Sequence, residues 1–364
     1  MLIDLAIKLG LALVVLFGVL NIAGLQTWVE RKQSAAMQDR IGANRAVFYL
    51  PWGWAAPINW FLRKLGGLGL FHPLADVIKL LTKEDFVPQT GNRFLHTLAP
   101  WLSVFFALIV FAAIPFGDRI ELFGRTVELQ VAKLDAGLLY ILALASIGIY
   151  GVILAGMASG TNLSVLGGLR AASQMLAYEI ALGVSLVGVI IWYGTLDLQE
   201  IIRRQGDFLG GWLPAWGVVV QPLGCLIFMT AALAETKRIP FDLPEGEPEI
   251  IGYFVEYSGM KFGLFFLTDF VETTLVAALT TVLFFGGWQV PWLAPDALSP
   301  NIMALLGILA FTLKVSFFIW LFMTIRWTLP RFRYDQLMRL GWKALFPLSL
   351  ANIGATGLLR VLVR

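Results

Sequence analysis

Residues 262–286 of the chain have the sequence FGLFFLTDFVETTLVAALTTVLFFG. A helix of about 20 apolar residues crosses the hydrocarbon core of a bilayer, so this stretch predicts a transmembrane helix. Asp269 and Glu272 interrupt it, and because they are three residues apart they lie on one face of the helix. Asp269 is roughly 10 Å from Phe262 along the helix axis, well below the interface. The stretch therefore predicts a spanning helix with two acidic side chains inside the membrane.

The whole chain is apolar for its length. Of its 364 residues, 58% are hydrophobic and 14% are charged, whereas a soluble domain has roughly a quarter charged residues. Eight stretches are long and apolar enough to span a bilayer: 5–27, 94–116, 135–157, 175–193, 214–234, 262–286, 303–325 and 344–362. The sequence predicts an all-α membrane protein with eight transmembrane helices. We interpret residues 1–364 as a single polytopic membrane domain, since no internal repeat or linker divides them.

The segment 51–83 differs from the spans because it mixes aromatic and basic side chains. Trp60 and Phe61 are followed closely by Arg63 and Lys64. Such a segment is too polar to span the bilayer and is typical of helices that lie in the interface. We predict one or two interfacial amphipathic helices in this first cytoplasmic loop.

The basic residues predict the orientation of the bundle. Four loops on one side contain 18 of the 27 Lys and Arg residues, and their bounds are 28–93, 158–174, 235–261 and 326–343. By the positive-inside rule these loops are cytoplasmic, and both termini lie on the non-cytoplasmic side.

Few residue types that hold metals or redox groups are present. The chain has one cysteine, Cys225, and two histidines, His72 and His96. One cysteine excludes a four-cysteine iron–sulfur site within this chain, and the scattered set fits neither structural zinc nor haem. Basic clusters interleaved with aromatics, which would indicate nucleic acid, are absent. We therefore expect no metal and no bound cofactor in this chain, and any redox cofactor belongs to a partner subunit.

Charged residues within spans are candidates for function, because each costs on the order of 3 kcal/mol at the bilayer centre. These residues are Glu179, Glu235, Asp269, Glu272 and Lys314. One interpretation is a set of buried ion pairs that fixes helix packing. The other is a proton or ion path, which we favour because several carboxylates on three spans adjoin one acidic loop. Lys314 is a candidate partner for one of these carboxylates.

The loop after the fifth span is the most informative segment. Residues 235–257 have the sequence ETKRIPFDLPEGEPEIIGYFVEY. Glu245, Glu247 and Glu249 occupy alternate positions, which an extended or turn-rich loop places along one cavity wall. A solvated loop is the alternative. We favour a loop folded into a cavity beside the membrane, because its apolar residues require burial.

These residues resemble the quinone-site membrane subunit, the H subunit, of respiratory complex I, and the resemblance covers nearly the whole chain. The segments that resemble it are QDRIGANR at 38–45, PLADVIK at 73–79, IPFG at 114–117, LGGLRAASQMLAYE at 166–179, the acidic loop at 235–257 and PRFRYDQLM at 330–338.

The resemblance implies a role in a proton-translocating NADH:quinone oxidoreductase of the bacterial cell inner membrane. It implies a quinone chamber that includes Glu30, Arg31, Arg40, Asp76, Arg238, Asp242 and Arg326. It implies a carboxylate path through Glu179, Glu235, Glu245, Glu247, Glu249, Glu256 and Asp269, to which the charges inside the spans add Glu272 and Lys314. The expected partners are hydrophilic-arm subunits with flavin and the terminal iron–sulfur cluster, other proton-pumping membrane subunits and the lipid bilayer. Quinone is the expected substrate, and no residue of this chain alone is expected to be catalytic.

The chain departs from the family pattern at four places. Ala43 replaces a usual proline, the stretch 46–70 is longer and rich in tryptophan, Asp269 replaces a common glutamate and Pro248 replaces a common serine. These departures bear on the shape of the expected quinone portal and on the reach of the proton relay.

Two other functions compete with this interpretation. One is the equivalent subunit of a membrane-bound hydrogenase or other non-NADH dehydrogenase complex, which shares the helix framework. The electron donor of the purified complex distinguishes it from the NADH:quinone oxidoreductase subunit. A stand-alone transporter predicts activity of this chain by itself in liposomes. It is disfavoured because the half-helix repeats typical of such transporters are absent.

Overall fold

A computed structural model describes residues 2–52, 56–122, 125–209, 212–246, 249–250, 252–293 and 299–363. The long helices are α1 (Leu2–Met37), α4 (Arg93–Ile109), α5 (Gly137–Ala158), α6 (Asn162–Tyr193), α9 (Pro222–Glu235), α10 (Gly259–Phe284), α11 (Pro300–Thr328) and α13 (Phe346–Val363). Shorter helices are α2 (Ala56–Leu68), α3 (His72–Thr82), α7 (Leu198–Gln205), α8 (Gly217–Val220) and α12 (Tyr334–Arg339). Two small antiparallel hairpins pair β1 (Arg119–Leu122) with β2 (Arg125–Glu128), and β3 (Phe208–Leu209) with β4 (Leu213–Pro214).

The prediction of an all-α membrane protein is confirmed. Within the described residues, seven helices are long and apolar enough to cross a membrane, or eight if the bent pair α2 and α3 counts as one span. The seven are Asp4–Met37, Arg93–Ala113, Gly137–Ala158, Asn162–Tyr193, Gly259–Phe284, Pro300–Thr328 and Tyr334–Leu362.

The predicted span 214–234 is not one continuous helix. α8 ends before Gln221, whose φ of −132° and ψ of 57° are not helical, and α9 begins at Pro222. Proline has no N–H to continue the preceding helix and favours the first helical position. The 14 residues of α9 extend over about 21 Å, less than the bilayer core. Half of them are buried by the rest of the protein, whereas Leu226 is exposed.

α10 is the central helix of the bundle. It packs against α1, α3, α4, α9 and α11, and most of its residues are buried. Its hydroxyl groups are satisfied within the helix: Thr273 and Thr280, for example, each donate to the carbonyl four residues earlier at 2.7 Å. The stretch that predicts a membrane helix is therefore a largely buried helix that packs against the spans α1, α4 and α11.

The helices α2 and α3 lie in the segment predicted to be amphipathic, and they are bent by 87° at the break between them. Trp28 of α1 donates its ring N–H to the carbonyl of Leu68 at 2.8 Å, which ties α2 to the first span. Many of the large apolar side chains of α2 remain exposed, Trp60 and Phe61 among them.

The C-terminal end of α10 is fastened by Lys314 of α11. Its ammonium donates to the carbonyl oxygens of Phe285 at 2.8 Å, Gly287 at 3.0 Å and Gln289 at 2.7 Å. It also lies 4.7 Å from the ring centre of Trp216. A cation at this position interacts favourably with the negative end of the helix dipole and satisfies carbonyls that the helix leaves unpaired.

We expect Lys314→Met to lower the resistance of the protein to thermal unfolding in detergent. A hydrogen bond from a charged donor contributes about 1.5–3 kcal/mol, and the substitution removes three of them. The midpoint of unfolding measures the effect. Lys133→Met is the control, because Lys133 forms an exposed ion pair with Glu128 at 3.3 Å and such pairs contribute little. Equal midpoints for both variants would contradict the assigned role.

Candidate functional site

The loop between α9 and α10 is folded into the protein. Phe241, Ile250 and Tyr253 are 3%, 3% and 1% exposed. Backbone hydrogen bonds form turns in it, including Ile250 N–H to the carbonyl of Gly246 at 3.0 Å. The prediction that its apolar residues are buried is confirmed for these three, and Lys237 and Asp242 of the same loop are buried with them.

Two contacts fasten this loop to the bundle. The side-chain amide of Gln174, on α6, donates to the carbonyls of Ala234 and Phe241 at 2.7 Å each. The backbone N–H of Phe332 donates to the carbonyl of Pro240 at 3.1 Å. These buried hydrogen bonds fix the loop between α6 and the segment after α11, since leaving such groups unpaired is costly.

Glu30, Arg238 and Arg326, which we call the Glu30 group, meet at the start of the loop. Arg326 of α11 lies 2.7 Å from one oxygen of Glu30 on α1, and Arg238 lies 3.6 Å from the other. The Arg238 guanidinium also lies 4.1 Å from the ring centre of Phe270 on α10. Three of the seven residues expected to line a quinone chamber are therefore in one group, with one carboxylate facing two guanidinium groups.

The other expected chamber residues lie in separate places. Arg31 and Asp76 form an ion pair at 2.6 Å between α1 and α3, with both side chains partly exposed. Asp242 pairs with Arg331. Arg40 is exposed and donates to the side chain of Gln38 at 2.7 Å.

Lys237, Asp269 and Glu272, which we call the Lys237 group, lie on the membrane side of the loop. Lys237 is 1% exposed, and its ammonium is 3.5 Å from Asp269 and 3.2 Å from Glu272. Burial by itself lowers the pKa of Lys237, but the charges of Glu272 and Asp269 outweigh it, so the pKa is raised above that of an ordinary lysine. Lys237 therefore stays charged at neutral pH.

Glu245 is held in the turn of the loop and is largely enclosed. Burial raises its pKa well above the usual range of a glutamate, and the negative charges of Asp269 and Asp242 raise it further. Lys237 and Arg238 oppose this rise without cancelling it. A carboxyl of this kind holds its proton at a pH where an exposed glutamate has lost it.

Glu235 and Glu272 line a cavity of about 40 Å³. The rest of its lining is almost entirely apolar and comes from α4, α5, α6, α9 and α10. Glu179 of α6 accepts a hydrogen bond from Ser146 of α5. Of the carboxylates predicted inside spans, two thus open onto one cavity, and Glu179 is paired with a hydroxyl.

Glu245 and Glu249, the two alternating acidic residues that the structure describes, do not share one wall. Glu249 is exposed and pairs with Arg170 at 2.6 Å, whereas Glu245 is enclosed. Glu247 and Pro248 lie outside the described residues.

Glu256 lies at the far end of the loop. Its carbonyl oxygen is 3.4 Å from the Nε2 atom of His96, on α4. The His96 ring is stacked on Tyr257, with ring centres 3.9 Å apart. This contact fixes the end of the loop against α4 through the backbone of Glu256.

A family model described as NADH dehydrogenase matches residues 9–357. The chain belongs to this family. Similar proteins include the NADH-quinone oxidoreductase H subunit of Flavobacterium johnsoniae, 43% identical over 96% of this chain and 94% of the relative. The H subunit of Thermomicrobium roseum is 44% identical over 94% and 92%. The H subunit numbered 1 in Geobacter metallireducens is 43% identical over 97% and 96%. The resemblance found in the sequence is confirmed.

Two of the segments expected to depart from the family pattern are held by contacts within the described residues. Ala43 lies against Gly69, where an added Cβ would be 2.2 Å from the carbonyl oxygen of Ala43. In the insertion 46–70, the side chain of Asn59 accepts from the N–H of Leu50 and donates to its carbonyl, each at 2.9 Å. These two hydrogen bonds attach the longer loop to the start of α2.

Sequence reasoning missed some members of the site. Arg331, the partner of Asp242, and Ser146, the partner of Glu179, were not singled out. Lys314 was named as a candidate partner for a carboxylate, whereas the cation that contacts Asp269 and Glu272 is Lys237. Lys237 lies next to Arg238 in an acidic loop, and this adjacency was the available indication.

We expect a hydrophobic carbodiimide to modify Glu245 near neutral pH, because the pKa of Glu245 is raised and the reagent reacts with the protonated carboxyl. The carboxyl transfers its proton to a nitrogen of the carbodiimide, and its oxygen then bonds to the central carbon. The yield should fall as the pH increases and the carboxyl ionises. Mass mapping of the 241–250 peptide measures the modification, and Glu245→Gln is the control that removes the site. A yield at Glu245 no higher than at the exposed Glu249 across this pH range would contradict the expectation.

Proposed function

We propose that this chain is the H subunit of a bacterial NADH:quinone oxidoreductase and that it forms the chamber that admits and binds quinone. Relatives of that name match more than nine-tenths of both chains. We propose a single polytopic domain in the cell inner membrane, with the basic loops cytoplasmic and both termini on the other side. The segments 30–45, 73–83 and 326–343, together with the acidic loop, then face the hydrophilic arm.

The observation that carries this proposal is the arrangement around two consecutive residues. Arg238 faces Glu30 at 3.6 Å, whereas Lys237 faces Asp269 and Glu272 at 3.5 and 3.2 Å. One loop therefore holds a group suited to a quinone headgroup and a group of carboxylates inside the membrane. A change of charge at the Glu30 group therefore acts on the Lys237 group, because Arg238 and Lys237 are adjacent in the chain.

The Glu30 group has the chemistry that quinone reduction requires. Reduction adds electrons to the headgroup and leaves negative charge on its oxygens until protons arrive. Arg238 and Arg326 are fixed cations that stabilise this charge. Their ion pairs with Glu30 weaken when they interact with the charged headgroup. The electrons come from outside this chain, because its single cysteine cannot hold an iron–sulfur cluster. The terminal cluster and the flavin belong to the hydrophilic partner subunits.

The amphipathic segment supplies a route for quinone from the bilayer. Trp60 and Phe61 of α2 are 61% and 56% exposed, and their aromatic faces suit an isoprenoid tail. Arg31 and Asp76 join α1 to α3 beside this segment. We propose that the chamber opens to lipid between α1 and these two helices.

The carboxylates supply a route for protons toward neighbouring membrane subunits. Glu235 and Glu272 share one cavity, which has room for water to connect them. Glu245 is close enough to Asp242 and Asp269 for their charges to act on it, and we propose that it links the cavity side of the loop to the Glu30 side. Glu179, hydrogen-bonded to Ser146, is the next carboxylate toward α5.

We expect Glu235→Gln and Arg238→Ala to impair quinone-linked turnover and proton pumping, by about ten-fold or more. Electron transfer from NADH to an artificial acceptor should survive, since that reaction does not use this chain. The assay is NADH oxidation by membranes with quinone and with the artificial acceptor.

Glu200→Gln and Lys261→Gln are the matched controls. Glu200 forms an exposed pair with Arg204, and Lys261 pairs with Asp85 at 2.9 Å outside both groups. Normal quinone turnover in both Glu235→Gln and Arg238→Ala would argue against the proposed roles.

A further inference from the structure

Lys237 occupies an unusual position for a lysine. Its backbone has a φ of 56°, in the left-handed region that few side chains other than glycine adopt. Its side chain is 1% exposed and extends to two acidic groups on α10. The fold holds a strained backbone and a buried ammonium at this point, so the position of that charge is closely specified.

The charges of the Lys237 group do not balance. One ammonium faces two carboxylates, Asp269 at 3.5 Å and Glu272 at 3.2 Å, so the fully ionised group has one excess negative charge. An uncompensated charge in a buried site is costly, and a single bound proton removes it. With Lys237 charged, the group is neutral when it holds one proton.

Two acceptor atoms in this group have no hydrogen bond. The Oδ1 atom of Asp269 and the Oε2 atom of Glu272 are buried and lie 3.5 and 3.2 Å from the Lys237 ammonium without hydrogen-bond geometry. The hydrogen bond of that ammonium goes to the Oε1 atom of Glu272 at 3.5 Å. The side chain of Asp269 is only 10% exposed. Buried acceptors of this kind are satisfied when one carboxyl becomes an O–H group, and this supports proton binding independently of the charge count.

The group also has access to proton carriers. Glu272 lines the cavity that Glu235 lines, so water in that cavity reaches one member of the group directly. On the loop side, Glu245 lies close enough for its charge to act on Lys237. The guanidinium of Arg238 pairs with Glu30 at 3.6 Å, and its positive charge also acts on Asp269 and Glu272. Glu235, on the cavity side, is close enough for its charge to act on Glu272.

We propose that Lys237, Asp269 and Glu272 form a one-proton site in which the lysine is a positioning residue that limits the two carboxylates to a single exchangeable proton. The proton moves between a carboxyl O–H of this group and water in the cavity, with no change in covalent bonds elsewhere. This inference rests on the proposed function, because that proton is part of the path between quinone reduction and pumping.

The net charge of the group in single and double variants provides a test, because a loss of packing alone predicts a different result. Glu272→Gln leaves Lys237 paired with Asp269, a neutral group that has no reason to bind a proton. Adding Lys237→Met leaves Asp269 alone, and the group again becomes neutral with one proton. The double variant therefore restores the proton capacity that the single variant loses, although it has fewer ion pairs.

The experiment measures quinone-linked turnover and proton pumping of the intact complex in proteoliposomes, normalised to NADH oxidation by an artificial acceptor. We expect Glu272→Gln to lose about ten-fold or more. We expect Lys237→Met/Glu272→Gln to recover to within about three-fold of the unmodified complex, a strong non-additivity. A purely structural ion pair predicts the opposite order, because the double variant leaves Asp269 unpaired.

A double variant no faster than Glu272→Gln overturns the one-proton site, as does normal turnover of Glu272→Gln. Either result is separate from a failure of the proposed function, which Arg238→Ala and Glu235→Gln test without altering these three residues. Lys237→Arg keeps the charge and serves as the second variant: turnover above that of Lys237→Met supports the proposal, and turnover no higher counts against it. Native gel electrophoresis confirms that each complex assembles.

Discussion

The pairing of Lys237 and Arg238 with acids on different helices is the constraint on which the site depends. Neither cation can remain unpaired in a low-dielectric interior, since removing one partner from a buried pair costs about 3–5 kcal/mol. Arg238 therefore ties the loop to α1 through Glu30, and Lys237 ties it to α10 through Asp269 and Glu272. The loop cannot withdraw from the bundle without breaking both sets of contacts, so it forms a fixed wall between them.

The helical framework follows from the sequence because lipid requires every backbone group to be bonded within its own segment. That constraint makes apolar length informative for α10 and α11. It is less informative for 214–234, where the backbone breaks at Gln221 and Pro222 and two shorter helices replace one continuous helix. Composition counts apolar residues along the chain and does not show where a helix breaks.

The members of the site were largely predictable, but their partners were not. Charges inside apolar spans are rare and costly, so Asp269 and Glu272 stand out in the sequence. Which cation neutralises them depends on how α9, α10 and α11 cross, and no spacing along the chain contains that information. Lys314 is the obvious candidate by depth, yet its contacts are the carbonyls at the end of α10, and a loop residue meets the acids instead.

Consecutive residues of α10 separate the two groups of the site. Asp269 faces Lys237, and Phe270 presents its ring to Arg238 at 4.1 Å. An aromatic face stabilises a cation without neutralising it, so Arg238 retains its charge for Glu30 and for any anion that develops beside it. Charge that appears at the Glu30 group is thus one residue away, along both the loop and α10, from the carboxylates of the Lys237 group. Coupling between them needs no large movement, because the two cations share one stretch of backbone and a low-dielectric surrounding in which their fields are weakly screened.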